Sequence, residues 1–143
     1  MFVLFSVRVE QVILNLVRNA VDATKGTNAP QIDIILSQGD TAKLTVRDNG
    51  VGIADIDSLF EPFYTTKPVG KGTGLGLSIS KGLVNLLGGE IGVESHKKKG
   101  SVFYFYLPIK PAAKKINQPH TKDRVKAKTI SETKEKHILI VED

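Results

Sequence analysis

The sequence contains no cysteine among its 143 residues. Disulfide bonds and thiolate metal ligands are therefore excluded, and the absence fits a reducing compartment. Long apolar runs are also missing: the stretch from Phe2 to Phe5 is far too short to cross a bilayer, and it lacks the basic flank and longer apolar core of a secretory signal. We therefore expect a soluble, cytoplasmic chain that makes no membrane contact of its own.

Aromatic residues are scarce where positive charge is concentrated. The net charge is +5, and residues 111–137 hold eight Lys and Arg against three Asp and Glu. A nucleic-acid interface would place basic side chains on a folded face with aromatics between them. This segment has only His120 and His137 as aromatic rings and too few large aliphatics to form a core. We interpret residues 111–137 as a flexible basic linker and expect no nucleic-acid partner.

Helical and strand patterns alternate over the preceding part of the chain. Apolar residues at three- and four-residue steps predict helices, and strict alternation predicts strands. Ser6 is the predicted N-cap of the first helix. The predicted elements are a helix over 7–24, strands over 31–37 and 42–46, a helix over 75–87, and strands over 90–95 and 101–107. This order predicts helices that cover one face of a mixed sheet.

Two polar patterns suggest chemistry. Asn15 and Asn19 lie four residues apart on the first predicted helix, so they share a face. Amide oxygens suit Mg²⁺, which takes few protein ligands besides phosphates and waters, although both residues could equally be ordinary surface amides. Asp48 directly follows a strand and precedes Gly50 and Gly52, which allow a flat ligand to approach the backbone. Its carboxylate could accept a hydrogen bond from an amine such as that of adenine, although an ordinary turn has the same pattern.

A glycine-rich run, residues 70–77, leads into the second predicted helix. Glycines let backbone N–H groups surround a phosphate, and a helix N-terminus adds favourable partial charge. The run follows a loop rather than a strand, unlike a dinucleotide fingerprint, and no Lys-Ser/Thr pair follows its last glycine, unlike a Walker A loop. The loop over residues 48–76 is long for a compact domain, which is typical of functional segments. We call residues 53–75 the lid.

Together these segments resemble the four sequence boxes of histidine kinases. In order, the matches are residues 15–20 (NLVRNA, N box), 48–52 (DNGVG, G1 box), 59–67 (LFEPFYTTK, F box) and 72–77 (GTGLGL, G2 box). The resemblance covers residues 7–108 and implies a Bergerat-type α/β (α+β) two-layer sandwich with a mixed, mostly antiparallel sheet. It also implies ATP and Mg²⁺ as cofactors, and transfer of the γ-phosphoryl group to a histidine on a separate dimerisation domain.

The resemblance implies roles for individual residues. Asn19 would coordinate Mg²⁺, Asn15 would support the phosphate end of the pocket, and Asp48 would bind the adenine amine. The other implied contacts are Gly50 and Gly52 beneath the base, Phe60 and Phe63 as lid anchors, Lys67 and Lys71 at the phosphates, Gly72, Thr73, Gly74, Leu75 and Gly76 as the hinge and amide donors, and Ser101 through water to the base. Either lysine could instead be solvated, and Ser101 could be an ordinary core-edge hydroxyl.

Both ends of the chain differ from the family pattern. Only Met1–Phe5 precedes the N-box helix, so we expect residues 1–110 to be an N-terminally truncated catalytic domain whose open sheet edge could self-associate. None of the three histidines (His96, His120 and His137) matches a phosphoacceptor segment. We therefore expect no catalytic residue in cis and no autophosphorylation by this chain alone.

Residues 138–143 (ILIVED) resemble the first strand of a receiver domain, whose paired acids help to hold Mg²⁺. Their position after a linker suggests a hybrid sensor kinase, whether membrane-anchored or not, with the dimerisation and receiver domains as partners. Two alternatives stay open. ATP-hydrolysing relatives typically carry a carboxylate on the N-box helix to activate water, where this chain has Asn15, which cannot act as a base. The other alternative is a non-catalytic scaffold that binds ATP or no nucleotide at all.

Overall fold

A computed structural model describes residues 2–109 and 134–140. The elements are α1 (Phe2–Thr24), β1 (Ile32–Gln38), β2 (Thr41–Asp48), α2 (Gly76–Leu86), β3 (Glu90–His96), β4 (Gly100–Pro108) and β5 (Lys134–Ile140). The strand order is β3-β4-β2-β1-β5, and all four neighbouring pairs are antiparallel. The α+β class is confirmed, and the sheet that was expected to be mixed is antiparallel in every pair of described strands.

The two helices pack together and against one face of the sheet. Val12, Leu16 and Ala20 of α1 are 0–2% exposed and form the buried stripe that the sequence periodicity predicts. They meet Val84 of α2 and the inward side chains of β2 and β4, among them Phe103. The predicted N-cap at Ser6 is wrong, because α1 begins at Phe2 and Ser6 lies within the helix. No helix in the described ranges is long and apolar enough to cross a membrane.

The sheet edge beyond β1 is occupied by β5. The register runs from Ile32 opposite Ile140 to Gln38 opposite Lys134. The expected open edge is therefore not found at β1. Residues 134–137, predicted as linker, lie in this strand, so the expected boundary after residue 137 falls within a single strand. The rest of the linker (110–133) and residues 141–143 lie outside the described residues, and the receiver-like interpretation stays a prediction.

Candidate functional site

A row of cross-strand partners crosses the helix-facing side of the sheet near one end. Ile32, Asp48, Ser101 and Ser95 follow one another across β1, β2, β4 and β3. Asp48, Ser101 and Ser95 are 5%, 3% and 8% exposed. The antiparallel register thus places a buried carboxylate between an aliphatic side chain and two hydroxyls, on the same side of the sheet as the helices.

Asp48 is a buried acid with no cationic partner among the residues that the structure describes. The Gly50 N–H donates to Asp48 Oδ1 at 2.9 Å. Neither of the two ion pairs among the described residues involves this carboxylate. Burial raises the pKa of Asp48 above its ordinary value, and hydrogen bonds from the backbone of Gly50 and Ser101 oppose that rise. A desolvated acid of this kind is typical of a ligand-binding position.

Ser95 connects the start of the lid to the β3–β4 hairpin. Its Oγ lies 2.8 Å from the Ser101 Oγ, donates to the Gly100 carbonyl at 3.1 Å, and accepts from the Ile53 N–H at 2.8 Å. Sequence analysis did not single out Ser95. The signal was available, because a hairpin that turns over residues 96–100 places residue 95 opposite residue 101.

We expect Ser95→Ala to lower the free energy of unfolding by about 1–3 kcal/mol, because it leaves the Ile53 N–H and the Ser101 hydroxyl without their partner. Thermal or urea unfolding measures the change. Ser37→Ala, on the opposite side of the sheet, is the matched control and should shift stability by less than about 0.5 kcal/mol. Equal stability of Ser95→Ala and wild type would contradict this role.

The G1 loop is packed tightly against α1 and against the β3–β4 turn. The Val51 N–H donates to the Ala23 carbonyl at 3.2 Å. A Cβ added at Gly50 would lie 2.3 Å from that same carbonyl oxygen. Gly52 has a φ of +71°, and a Cβ there would lie 2.2 Å from the carbonyl oxygen of His96. Both positions therefore require glycine, for the close approach of neighbouring backbone and, at Gly52, for the positive φ as well.

The two asparagines share one face of α1 but have different surroundings. Asn15 Nδ2 donates to the Gly76 carbonyl at 3.2 Å and to Ser80 Oγ at 3.1 Å, so this amide joins α1 to the start of α2. Asn19 is half-buried and makes no side-chain hydrogen bond to another described residue. No group of three or more His, Asp or Glu side chains within the described ranges is arranged to hold a metal ion.

Asp22 continues the face that carries the asparagines, three residues after Asn19. Its Oδ2 lies 2.5 Å from the Nζ of Lys67 in the lid, and its Oδ1 lies 2.9 Å from the Nζ of Lys25. Hydrogen bonds from Lys25 and Lys67 hold the pKa of Asp22 below its ordinary value. Sequence analysis missed Asp22, although its spacing of seven residues from Asn15 places it on the same side of the helix.

The lid is held by backbone contacts as well as by packing. Phe60 is half-buried against the core, and Lys81 Nζ lies 5.6 Å from the centre of its ring. Phe63 does not pack as expected: its side chain is 75% exposed, and its φ is +67°. Instead, the Phe63 N–H donates to the Gly74 carbonyl at 2.8 Å. A Cβ on Gly74 would lie 2.4 Å from the Phe63 carbonyl carbon, which ties the F box to the G2 box.

The remaining predicted residues lie where the lid meets α2. Lys71 is exposed, Gly72 is half-buried beside Thr65 and Lys67, and Thr73 Oγ1 accepts from the Leu75 N–H at 3.3 Å. Leu75 occupies the N-cap position of α2 without a side-chain cap, so no side chain of the described residues satisfies the first-turn N–H groups. The N, G1, F and G2 boxes are thus brought together along one face of α1.

The sequence also matches a known family. Residues 6–111 match the model of the histidine kinase-, DNA gyrase B- and HSP90-like ATPases. The catalytic domain of the histidine kinase ThkA superposes with a TM-score of 0.58 at 38% identity, and 73% of this chain covers 69% of that structure. The chain is therefore a histidine kinase ATP-binding catalytic domain. A solved chain of the mycobacterial sensor histidine kinase MprB superposes with a TM-score of 0.62 at 29% identity, over 72% of this chain and 71% of the solved one.

Curated relatives of this catalytic domain are much longer sensor kinases. Over 115 residues it is 42% identical to the sensor kinase CckA of Brucella abortus (strain 2308), which covers 69% of this chain and 12% of CckA. Over 105 residues it is 41% identical to the sensor histidine kinase ZraS of Escherichia coli (strain K12), covering 71% of this chain and 22% of ZraS. The chain therefore corresponds to a small part of each relative.

Proposed function

We propose that this catalytic domain binds Mg-ATP and transfers the γ-phosphoryl group to a histidine on a separate dimerisation domain. The observation that carries the proposal is the meeting of three features on one side of the sheet. These are the buried carboxylate of Asp48, which forms no ion pair with a described residue, the α1 face that carries Asn15 and Asn19, and the uncapped start of α2. A nucleotide offers an amine, a bound metal ion and phosphates, which are complementary to these three features in that order.

The adenine end would lie at Asp48. A carboxylate only accepts hydrogen bonds, so it suits the exocyclic amine of adenine, which donates. The buried Ser101 hydroxyl lies in the same row and is available for a contact through water. Gly50 and Gly52 would act beneath the base indirectly, because they let the G1 loop pack against the carbonyl groups of Ala23 and His96 and so fix the backbone at the adenine end.

The phosphate end would lie between α1 and the start of α2. Asn19 is the proposed Mg²⁺ ligand, because its amide is free of other described residues and an amide oxygen suits this ion. The metal would supply charge neutralisation for the phosphates. The first-turn N–H groups of α2, with Gly74 and Gly76, would bind phosphate oxygens, and Lys67 and Lys71 would add positive charge.

Asn15 distinguishes phosphoryl transfer from hydrolysis. Its amide cannot remove a proton from water, and it already donates to Gly76 and Ser80. Its proposed role is to position α2 against α1 at the phosphate end. A neutral imidazole, by contrast, is a nucleophile without a base, so positioning and charge neutralisation are sufficient for transfer to histidine.

The length of the relatives leaves room for the proposed partners. The chain corresponds to 12% of CckA and 22% of ZraS, so a dimerisation domain with the acceptor histidine would lie in another part of the whole protein. Residues 138–143 support a receiver domain and hence a hybrid kinase as parent. Because ATP is a cytosolic substrate, we propose that the domain functions in the cytoplasm, whether or not the parent is anchored in a membrane.

The test is phosphoryl transfer to a supplied acceptor. The chain is incubated with γ-labelled Mg-ATP and a separate helical dimerisation domain that carries the acceptor histidine. We expect acid-labile label on the acceptor, none on an acceptor with His→Gln at that position, and none on this chain alone. Steady release of phosphate without labelling would support the hydrolase instead. Failure to bind nucleotide would leave the scaffold alternative.

A further inference from the structure

We propose that Asp22 is a positioning residue for the nucleotide phosphates, acting through the ammonium group of Lys67. The inference rests on the proposed function, in which Lys67 contacts the phosphates. Its basis is an ion pair between Asp22 and Lys67 that joins the N-box helix to the lid across 45 positions of the sequence. None of the four sequence boxes assigns a role to Asp22.

The ion pair lies beside the proposed metal ligand. Asp22 follows Asn19 by three residues, so one side of α1 presents both residues. Its Oδ2 lies 2.5 Å from Lys67 Nζ, and about a third of each side chain is exposed. The second partner of Asp22, Lys25, is 73% exposed and lies in the turn directly after α1. Of these two ion pairs of Asp22, the one with Lys67 connects α1 to the lid, and the one with Lys25 does not.

The lid also restrains Lys67 from its own side. The Lys67 N–H donates to Thr65 Oγ1 at 3.1 Å, and its stem lies against Gly72, where an added Cβ would come within 3.0 Å of the Lys67 Cδ. The four-carbon stem is thus held at its base, and Asp22 holds its end. Fixing a flexible side chain before the ligand arrives reduces the ordering entropy that binding must overcome.

Asp22 leaves Lys67 able to contact a phosphate. An ammonium group has three donors, and one bond to Asp22 Oδ2 leaves two free. A carboxylate that orients a phosphate-binding lysine is also found in protein kinases, where a glutamate on a helix pairs with the catalytic lysine. Here the arrangement would hold a positive charge from the lid next to Asn19.

The test is Asp22→Asn, which removes the charge with little change of shape. Binding of ATP, ADP and adenosine is measured by titration calorimetry with Mg²⁺, and circular dichroism checks folding. We expect ATP affinity to fall about 5- to 20-fold, the order expected for one charge-assisted contact, and adenosine affinity to change less than about twofold. Lys25→Gln removes the other partner of Asp22 and should leave ATP affinity unchanged.

Two further variants separate positioning from a general effect of charge. Lys67→Gln should lower ATP affinity by itself, and Asp22→Asn added to it should cause no further loss, because the two side chains act as one unit. Asp22→Glu should restore part of the affinity. ATP binding by Asp22→Asn as tight as that of the wild type would overturn the inference. Tighter binding would overturn it as well and would indicate that Asp22 competes with phosphate. The inference would also be overturned if Asp22→Asn lowered ATP affinity by the same factor in the Lys67→Gln variant as in the wild type.

Failure of the inference is distinguishable from failure of the proposed function. If the wild-type chain does not bind Mg-ATP, the proposed function fails, and the inference fails with it. If the wild type binds Mg-ATP and Lys67→Gln binds it equally well, the nucleotide site stands. Lys67 then makes no phosphate contact, and the inference alone is overturned.

Discussion

Asp48→Asn is expected to weaken adenine-nucleotide binding about 10- to 150-fold, the effect of losing about 1.5–3 kcal/mol from a hydrogen bond to a charged acceptor. Asp48 is 5% exposed, and no described residue forms an ion pair with its carboxylate, so the negative charge is available to a donor on the ligand. An asparagine keeps one acceptor oxygen, but it loses the charge and introduces an NH₂ group that would face the adenine amine. Calorimetric titration with Mg-ADP measures the loss.

The same substitution is expected to leave the fold at least as stable as the wild type at neutral pH. Burial raises the pKa of Asp48, which means that the folded state disfavours the ionised form. The retained oxygen of asparagine can still accept from the Gly50 N–H. Removing the charge therefore removes a desolvation cost. Loss of binding together with unchanged or raised stability would assign the carboxylate to ligand binding rather than to folding.

This stability effect has a defined pH dependence. Because the folded-state pKa of Asp48 lies above its unfolded value of about 3.8, the wild type should lose stability as the pH rises from 3.8 through the folded pKa. Asp48→Asn should lack this loss, so its advantage should be present at pH 7 and disappear at low pH. Asp40→Asn, in the exposed β1–β2 turn, is the control. A folded Asp48→Asn variant with wild-type nucleotide affinity would refute the assignment.

Gly74→Ala is expected to lower ATP affinity by at least about tenfold while the core stays folded. The residue has a φ of +68°, and an added Cβ would lie 2.4 Å from the Phe63 carbonyl carbon. The backbone must shift to relieve that overlap, which would displace the lid and break the hydrogen bond between Phe63 and Gly74. Misplacement of the lid moves the N–H groups at the start of α2 away from the phosphates. Titration with ATP, together with a thermal melt, measures both effects.

Gly70→Ala is the matched control within the lid. Gly70 has a φ of +83°, but an added Cβ would meet nothing within 4 Å. Its substitution therefore introduces only the strain of a left-handed backbone, about 1–2 kcal/mol, without a collision between segments. ATP affinity should fall much less than in Gly74→Ala. Equal losses in the two variants would show that strain in the lid, rather than contact between the F and G2 boxes, determines binding.

Local sequence patterns predicted most of the elements that form the site. The apolar stripe of α1, the alternation in β1 to β4 and the glycines before α2 each follow from side-chain periodicity or backbone freedom. The predicted start of α1 was wrong. Ser6 is a favourable N-cap residue, but the helix continues through the apolar residues before it and begins at Phe2. The pairing of β5 with β1 was not predicted, because a short apolar run does not reveal which strand it will pair with.

The contacts between the boxes were less accessible to sequence analysis. The pair between Asp22 and Lys67 joins residues 45 apart in the chain, and only the packed lid brings them together. Phe63 has the apolar side chain of an anchor, but its positive φ directs the chain so that its backbone, and not its ring, makes the connection to Gly74. Periodicity describes one element at a time, whereas these contacts depend on the arrangement of several elements.

The most direct test of the site as a whole is an NMR titration of the isotope-labelled chain with Mg-AMPPNP, a non-hydrolysable ATP analogue. We expect saturable changes in amide chemical shift at the G1 loop (48–52), at the lid and start of α2 (65–76), and around Asn19. Tyr104 and Tyr106, on the opposite side of the sheet, should change little. An absence of saturable changes, or changes centred on those tyrosines, would contradict a nucleotide site between α1, Asp48 and the lid.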